Sequence, residues 1–98
     1  MLVESVISKD NEELVIKITG DFNFDMMQDF RASYINTEVS SYIVDLQCIN
    51  FNSAAALGML FGMRKTLGEL ADISIINCSP KAKSFLLISR FNELFTIR

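Results

Sequence analysis

The residues best suited to chemistry lie in one short stretch of the sequence. Asn52 and Ser53 place an amide and a hydroxyl directly before a run of three alanines, and Asp45 is the carboxylate of the apolar run upstream. A serine hydroxyl at the start of a helix can cap the free backbone N–H groups, or it can carry a phosphate that these groups and the helix dipole favour. The chain has no histidine, which excludes general-base, metal-ligand and phosphohistidine chemistry by that side chain.

The remaining reactive side chains give no support to an enzyme. Cys48 and Cys78 each lie in or beside an apolar run, without a C-x-x-C spacing, so we expect two reduced thiols and no zinc site. Asp45 has no second carboxylate beside it for acid and base work, which favours a structural hydrogen-bonding role. Without a glycine-rich phosphate loop, the sequence predicts a protein that is not an enzyme and needs neither a metal nor a cofactor.

Length and charge limit the kinds of partner. The chain has 98 residues, half of them hydrophobic, which predicts one domain spanning residues 1–98. Its net charge of −3 repels a phosphate backbone, so nucleic acid is not an expected partner. The longest apolar stretch, residues 54–63, is about half of the ~20 residues that a membrane span needs. With no signal-peptide pattern at the N-terminus, we expect a cytoplasmic protein without a membrane partner.

The first half of the chain shows two strands and then a helix. Leu2–Ile7 and Glu13–Thr19 alternate apolar and polar residues, which predicts an antiparallel hairpin whose second strand ends at Gly20 and Asp21. Apolar residues at spacings of three and four then predict a helix near 25–35. Its core face would consist of Met26, Met27, Phe30 and Tyr34.

The second half alternates strands and helices. The patterns predict a buried strand at 42–46, a long helix at 53–70, a second buried strand at 73–78, a helix at 80–88 and a last strand at 94–97. The order β-β-α-β-α-β-α-β indicates an α/β fold in which three or four helices pack on a mixed sheet of four or five strands.

The segment YIVDLQCINFNSAAALGML, residues 42–60, resembles the signature of the STAS domains of anti-sigma factor antagonists. That signature is a buried strand ending in V-D-L, followed by D-S-S-G/A-L-G at the start of a helix. Without gaps, Ser53 falls on the aspartate, Ala54 on the phosphorylated serine and Ala55 on the second serine. The resemblance covers nearly the whole chain, and it implies a STAS-like α/β fold.

The resemblance also implies a function. In this family, the helix after the signature docks on an anti-sigma factor or on a serine kinase or phosphatase protein, and phosphorylation of the signature serine breaks the contact. Ala54 and Ala55 have no hydroxyl, so that switch cannot be transferred to them, and we expect a form locked in the binding-competent state. Ser53 remains either an N-cap or a displaced phosphoacceptor, and Asn52 either positions the loop beside the partner or is simply a turn residue.

The long helix carries the predicted partner surface. Apolar residues recur at helical spacing from Ala56 to Leu70, and the stripe expected to be core consists of Ala56, Met59, Leu60, Met63 and Leu67. Leu57 and Phe61, flanked by Arg64, either form an exposed patch for a partner or extend this core. Gly58 and Gly62 together cost about 2 kcal/mol of helix propensity relative to alanine, so we expect the sheet or a partner backbone to approach them closely.

A second class of function stays open from the sequence. The fold could serve as a small-ligand sensor or as a scaffold subunit of a multi-STAS assembly, and a homodimer is not excluded. A large apolar pocket would favour the sensor, whereas a symmetric, well-packed contact between copies would favour the assembly.

Overall fold

The computed structural model describes the chain except for Met1, Asn11, Asn23 and Asn52. For nine further residues it describes the backbone alone: Leu2, Asp21, Phe22, 48–51, Ser53 and Ala54.

Five strands form one sheet in the order of the sequence. They are β1 (Leu2–Ile7), β2 (Glu13–Phe22), β3 (Ser41–Phe51), β4 (Asp72–Ile76) and β5 (Thr96–Ile97). β1 runs antiparallel to β2, and β2 to β5 are mutually parallel. The mixed sheet and the hairpin at its start are therefore as predicted.

Three α-helices connect the parallel strands: α1 (Met27–Tyr34), α2 (Ser53–Leu67) and α3 (Pro80–Ile88). A 3-10 turn, Phe24–Met26, precedes α1, and a second one, Phe91–Glu93, follows α3. Because each crossover moves one strand in the same direction and such crossovers are right-handed, the helices lie on one face of the sheet. The predicted α/β order is confirmed. None of the helices in the described residues has the length and apolar character to cross a membrane.

The core lies between the sheet and this helix layer. On β2 the alternate residues Leu14, Ile16 and Ile18 are fully buried, whereas Lys17 between them is exposed, as expected of a strand with one covered face. The helices contribute the buried side chains of Phe30, Tyr34, Ala55, Ala56, Met59, Leu60, Met63 and Leu86.

β2 and β3 are longer than predicted. The prediction that Gly20 and Asp21 end β2 is wrong, because the strand continues to Phe22 and pairs with β3 along its length. Gly20 adopts φ +95°, a conformation that costs glycine little, so the backbone bends there without leaving the sheet. The pairing register between the two strands also shifts between Lys17 and Thr19.

α2 ends three residues before the predicted end. Gly68 adopts φ +92° and donates its N–H to the carbonyl of Arg64 at 2.9 Å, the αL termination that glycine favours. Leu70 therefore lies in the following turn, fully exposed. The prediction that the helix and its apolar spacing extend to Leu70 is wrong.

The predicted strand 73–78 also stops early. β4 ends at Ile76, and Asn77 adopts a left-handed φ of +59°, which breaks the extended backbone before Cys78. The Ser79 hydroxyl then caps α3 by accepting the N–H of Ala82 at 3.1 Å.

The last strand is shorter than the predicted 94–97. Leu94 and Phe95 both donate their N–H groups to the carbonyl of Phe91, so they belong to the turn that follows α3. Only Thr96–Ile97 pairs with β4.

Two glycines of the α2 region should respond oppositely to alanine. Gly68→Ala should destabilise the protein by at least about 1 kcal/mol, because a Cβ is strained at positive φ. Gly62→Ala should stabilise it by up to about 1 kcal/mol through helix propensity, since its Cβ would meet no described atom within 4 Å. Urea unfolding of both variants measures the difference, and equal effects would contradict this account of α2.

Candidate functional site

The signature region lies where β3 ends and α2 begins. β3 ends at Phe51 and α2 begins at Ser53, so the predicted strand and helix are observed. The loop residue Asn52 lies outside the described residues, and so do the side chains of Ser53 and Ala54, so their predicted roles stay predictions. Ala55 is buried in the core. A hydroxyl at position 55 would therefore point into the protein and away from a kinase.

α2 has one buried face and one exposed face. The predicted stripe is buried over Ala56, Met59, Leu60 and Met63, with Leu67 half-buried at its end. Gly58, Phe61 and Lys65 recur at intervals of three and four on the exposed side.

The two residues that the sequence left open behave differently. Phe61 is 47% exposed, and the Lys65 ammonium lies 5.8 Å from its ring centroid, within cation–π range. Leu57 is half-buried and packs against the core. Phe61 therefore lies at the surface, whereas Leu57 belongs with the core.

Arg64, which was predicted at the same surface, is half-buried and makes its hydrogen bonds within the chain. Its Nη1 donates to the carbonyls of Gly68 at 2.9 Å and Ala71 at 2.7 Å, and its Nη2 donates to the carbonyl of Leu94. The guanidinium also lies over the ring of Phe95 at 5.3 Å. Arg64 thus ties the end of α2 to the turn after it and to the last segment of the chain.

Burial shifts the pKa of two side chains in this half of the chain, Arg64 and Cys78. It lowers the pKa of Arg64, an effect partly offset by the negative charge of Asp72, but an arginine remains protonated under all ordinary conditions. Burial raises the pKa of the Cys78 thiol, and the positive charge of Lys83 opposes this only partly. Cys78 carries a free thiol, and its raised pKa makes it a weak nucleophile. The side chain of Cys48 lies outside the described residues.

A groove separates α1 from the exposed side of α2, and we call it the α1–α2 groove. Its volume is about 210 Å³, and it is lined by Phe24, Met27, Phe30, Arg31, Tyr34, Gly58, Met59, Gly62 and Thr66. Phe24 and Met27 are about half exposed. Met27 was predicted to be core, which is wrong because α1 turns it towards the groove. The signal that could have revealed the groove is the pair Gly58 and Gly62.

The predicted close approach of the sheet to these glycines is not found. A Cβ on Gly58 would lie 3.7 Å from the Phe24 ring, an ordinary contact, and one on Gly62 would meet no atom of the described chain within 4 Å. Packing within the described residues therefore does not require glycine at either position.

On the other side of α2 lies an open depression of about 630 Å³. It is lined by Phe61, Arg64, Lys65, Gly68, Glu69, Glu93 and Leu94. Four of these residues carry charges, so the depression differs from the apolar pocket expected of a small-ligand sensor.

Asp45 has the structural role that was predicted. Its Oδ1 accepts the backbone N–H of Gln47 at 3.0 Å and the side-chain amide of Asn77 at 3.1 Å, which links the middle of β3 to the residue that follows β4. Within the described ranges, no three carboxylate or thiol side chains converge on a metal-binding geometry.

Comparison with known proteins agrees with this fold. No protein-family model matches the chain. A STAS-domain containing protein of Pseudomonas aeruginosa (strain UCBPP-PA14) is 41% identical over 100 residues, a match that covers 99% of each chain.

Solved structures of antagonists share the fold. The unphosphorylated form of the anti-sigma factor antagonist SpoIIAA superposes with a TM-score of 0.75 at 18% identity, covering 99% of this chain and 88% of that one. The phosphorylated form of the Bacillus protein gives 0.69 at 15% identity, over 99% and 91% of the two chains. The antisigma-factor antagonist STAS domain from Rhodobacter sphaeroides gives 0.63 at 19% identity, over 94% and 88%.

The five-stranded sheet with three helices on one face is the fold of an anti-sigma factor antagonist. Because the chain is 41% identical to the Pseudomonas protein over 99% of both chains, it belongs to the STAS-domain family.

The contacts of Arg64 predict a structural effect of its removal. Arg64→Met should lower the free energy of unfolding by at least about 2 kcal/mol, because hydrogen bonds from a charged group to three carbonyls are lost. Lys65→Met, on the exposed side of the same helical turn, should change it by less than about 0.5 kcal/mol. Urea unfolding of the two variants tests this, and a stable Arg64→Met protein would free Arg64 for a role at the surface.

Proposed function

We propose that this chain is a cytoplasmic protein-binding regulator that sequesters an anti-sigma factor or a serine kinase in a partner-switching circuit. The observation that carries the proposal is the half-exposed Phe61 ring on the outward side of α2, in a chain of the STAS-domain family. A large aromatic side chain surrounded by polar groups is typical of the residues that dominate protein interfaces. The structural similarity to anti-sigma factor antagonists supports the same class of function.

The proposed complex is not controlled by phosphorylation of the usual signature residue. Ala54 and Ala55 stand where the family has serines, and neither can accept a phosphate. A phosphoryl group adds a charge of about −1.5 to −2, which would disfavour burial of this helix against a partner. A chain without the acceptor therefore stays in the binding-competent form, with Ser53 as the nearest remaining hydroxyl.

Replacement of Phe61 by aspartate tests the interface. Phe61→Asp should weaken binding by at least about thirtyfold, or about 2 kcal/mol, because it removes an anchor and places an unpaired charge in a desolvated contact. Isothermal titration against each purified anti-sigma factor and serine kinase of the source organism gives the affinity. The matched control is Val6→Asp, which alters an exposed apolar residue on β1 and should leave binding unchanged.

The result that contradicts the interface is a folded Phe61→Asp protein with full affinity. Leu57→Asp is a poorer test than the sequence suggested, because Leu57 packs against the core and the variant should lose stability. Absence of binding by the unaltered chain to every candidate partner would contradict the proposed function itself.

Restoring the signature serine tests the missing switch. Ala54→Ser should create an acceptor at the N-terminus of α2, where free N–H groups and the helix dipole favour the phosphorylated product. Incubation with the bound kinase and ATP, followed by mass spectrometry of residues 50–65, should show phosphate on this variant. The control Ala55→Ser should gain none, since that position is buried.

In the same assay, the unaltered chain shows whether Ser53 is a displaced phosphoacceptor. Ser53 carries the only hydroxyl from residue 50 to residue 65, so any phosphate found there has one location. Phosphate on Ser53 that weakens binding would overturn the locked form and show that the switch is displaced by one residue.

A further inference from the structure

The α1–α2 groove has an apolar floor and one open wall. Phe24 and Met27 stand half exposed on the α1 side, while the α2 side is formed by Gly58 and Gly62. At the far end, the groove is lined by Tyr34 and Thr66. The groove is therefore a preformed space between two helices.

The glycines of α2 are not explained by the fold of the chain. Neither is among the glycines with positive φ, so the backbone does not require them. A Cβ added at Gly62 would meet no atom of the described residues within 4 Å. Glycine is the poorest helix former after proline, yet α2 keeps two of them one turn apart. Both face the groove, where they leave room for a side chain or backbone from outside.

The charge at the groove narrows the choice of occupant. Arg31 is the one charged residue among those lining the groove. It is exposed, and it forms no salt bridge in the part of the chain that is described. An occupant that complements the groove therefore carries a carboxylate to pair with Arg31 and, beside it, an apolar side chain to contact the apolar floor.

The walls of the groove favour a helix as occupant. The backbone groups along α1 and α2 are hydrogen bonded within each helix, so an extended peptide would find no partners for its own N–H and carbonyl groups. A helix satisfies its backbone internally, and its side chains on one face recur once per turn, as Gly58 and Gly62 do. The volume of about 210 Å³ suits one or two side chains and is smaller than the roughly 300–1,000 Å³ of small-molecule sites.

We propose that the α1–α2 groove binds an amphipathic helix of the partner protein. One apolar side chain of that helix lies over Gly58 and Gly62, and a carboxylate about one turn away pairs with Arg31. The inference rests on the proposed function, because the helix belongs to the partner that Phe61 contacts. Since the groove lies beside the exposed side of α2, which carries Phe61, the partner helix crosses α2 beside the Phe61 ring.

Filling the groove and reversing its charge test the proposal with the same purified partner. Gly62→Leu should lower the affinity at least tenfold by occupying the space, and its thermal midpoint should not fall, because leucine is the better helix former. Arg31→Glu should also lower the affinity at least tenfold. Lys17→Glu, which reverses an exposed cation on the sheet, should change the affinity less than twofold.

A photo-crosslinker identifies the occupant directly. The benzophenone amino acid p-benzoylphenylalanine at position 27 should crosslink to a helix of the partner that carries an apolar residue and an aspartate or glutamate one turn apart. Changing that partner carboxylate to lysine should restore the binding lost in Arg31→Glu. A crosslink to an extended segment, or to a second copy of this chain, would overturn the proposal.

The experiment separates the two proposals. If Phe61→Asp abolishes binding while Gly62→Leu and Arg31→Glu bind fully, the groove is not part of the interface and the proposed function stands. If no anti-sigma factor or serine kinase binds the unaltered chain, the proposed function fails and the groove proposal falls with it.

Discussion

The packing of α2 against the parallel strands is the interaction on which the rest of the structure depends. α2 lies in the middle of the helix layer, between α1 and α3, and it supplies Ala56, Met59, Leu60 and Met63 to the core. Because the helices occupy one face of the sheet, α2 has one side to bury and one side to present. On the proposed function, the surface offered to a partner is thus the reverse of the surface that holds the fold together.

Two features position that outward side. At its C-terminal end, Gly68 terminates the helix and Arg64 binds the carbonyls of the following turn and of Leu94, so the end of α2 is held in place. Along its flank, Phe24 and Met27 of the neighbouring segment keep the α1–α2 groove open. The half-exposed ring of Phe61 and the groove are consequently fixed relative to each other.

The sequence predicted the order and type of every strand and α-helix, because alternation and helical spacing are strong where one face is buried, but it missed the two 3-10 turns. It predicted the boundaries less well, since they depend on single conformations: Gly20 bends within a strand, whereas Gly68 ends a helix, and both are simply glycines in the sequence. The role of Arg64 could not be predicted, because its acceptor Leu94 lies 30 residues away in the chain. The α1–α2 groove needed the relative placement of two helices, which local patterns do not contain.

The burial of Ala55 has a consequence for control. On the proposed function, a domain with no acceptor at 54 and a core residue at 55 cannot be released by a covalent mark at the signature. Its influence is then set by stoichiometry: free partner persists until the number of regulator molecules exceeds it, and then falls sharply. Control therefore passes to synthesis and degradation of the chain, and the circuit responds as a threshold in copy number.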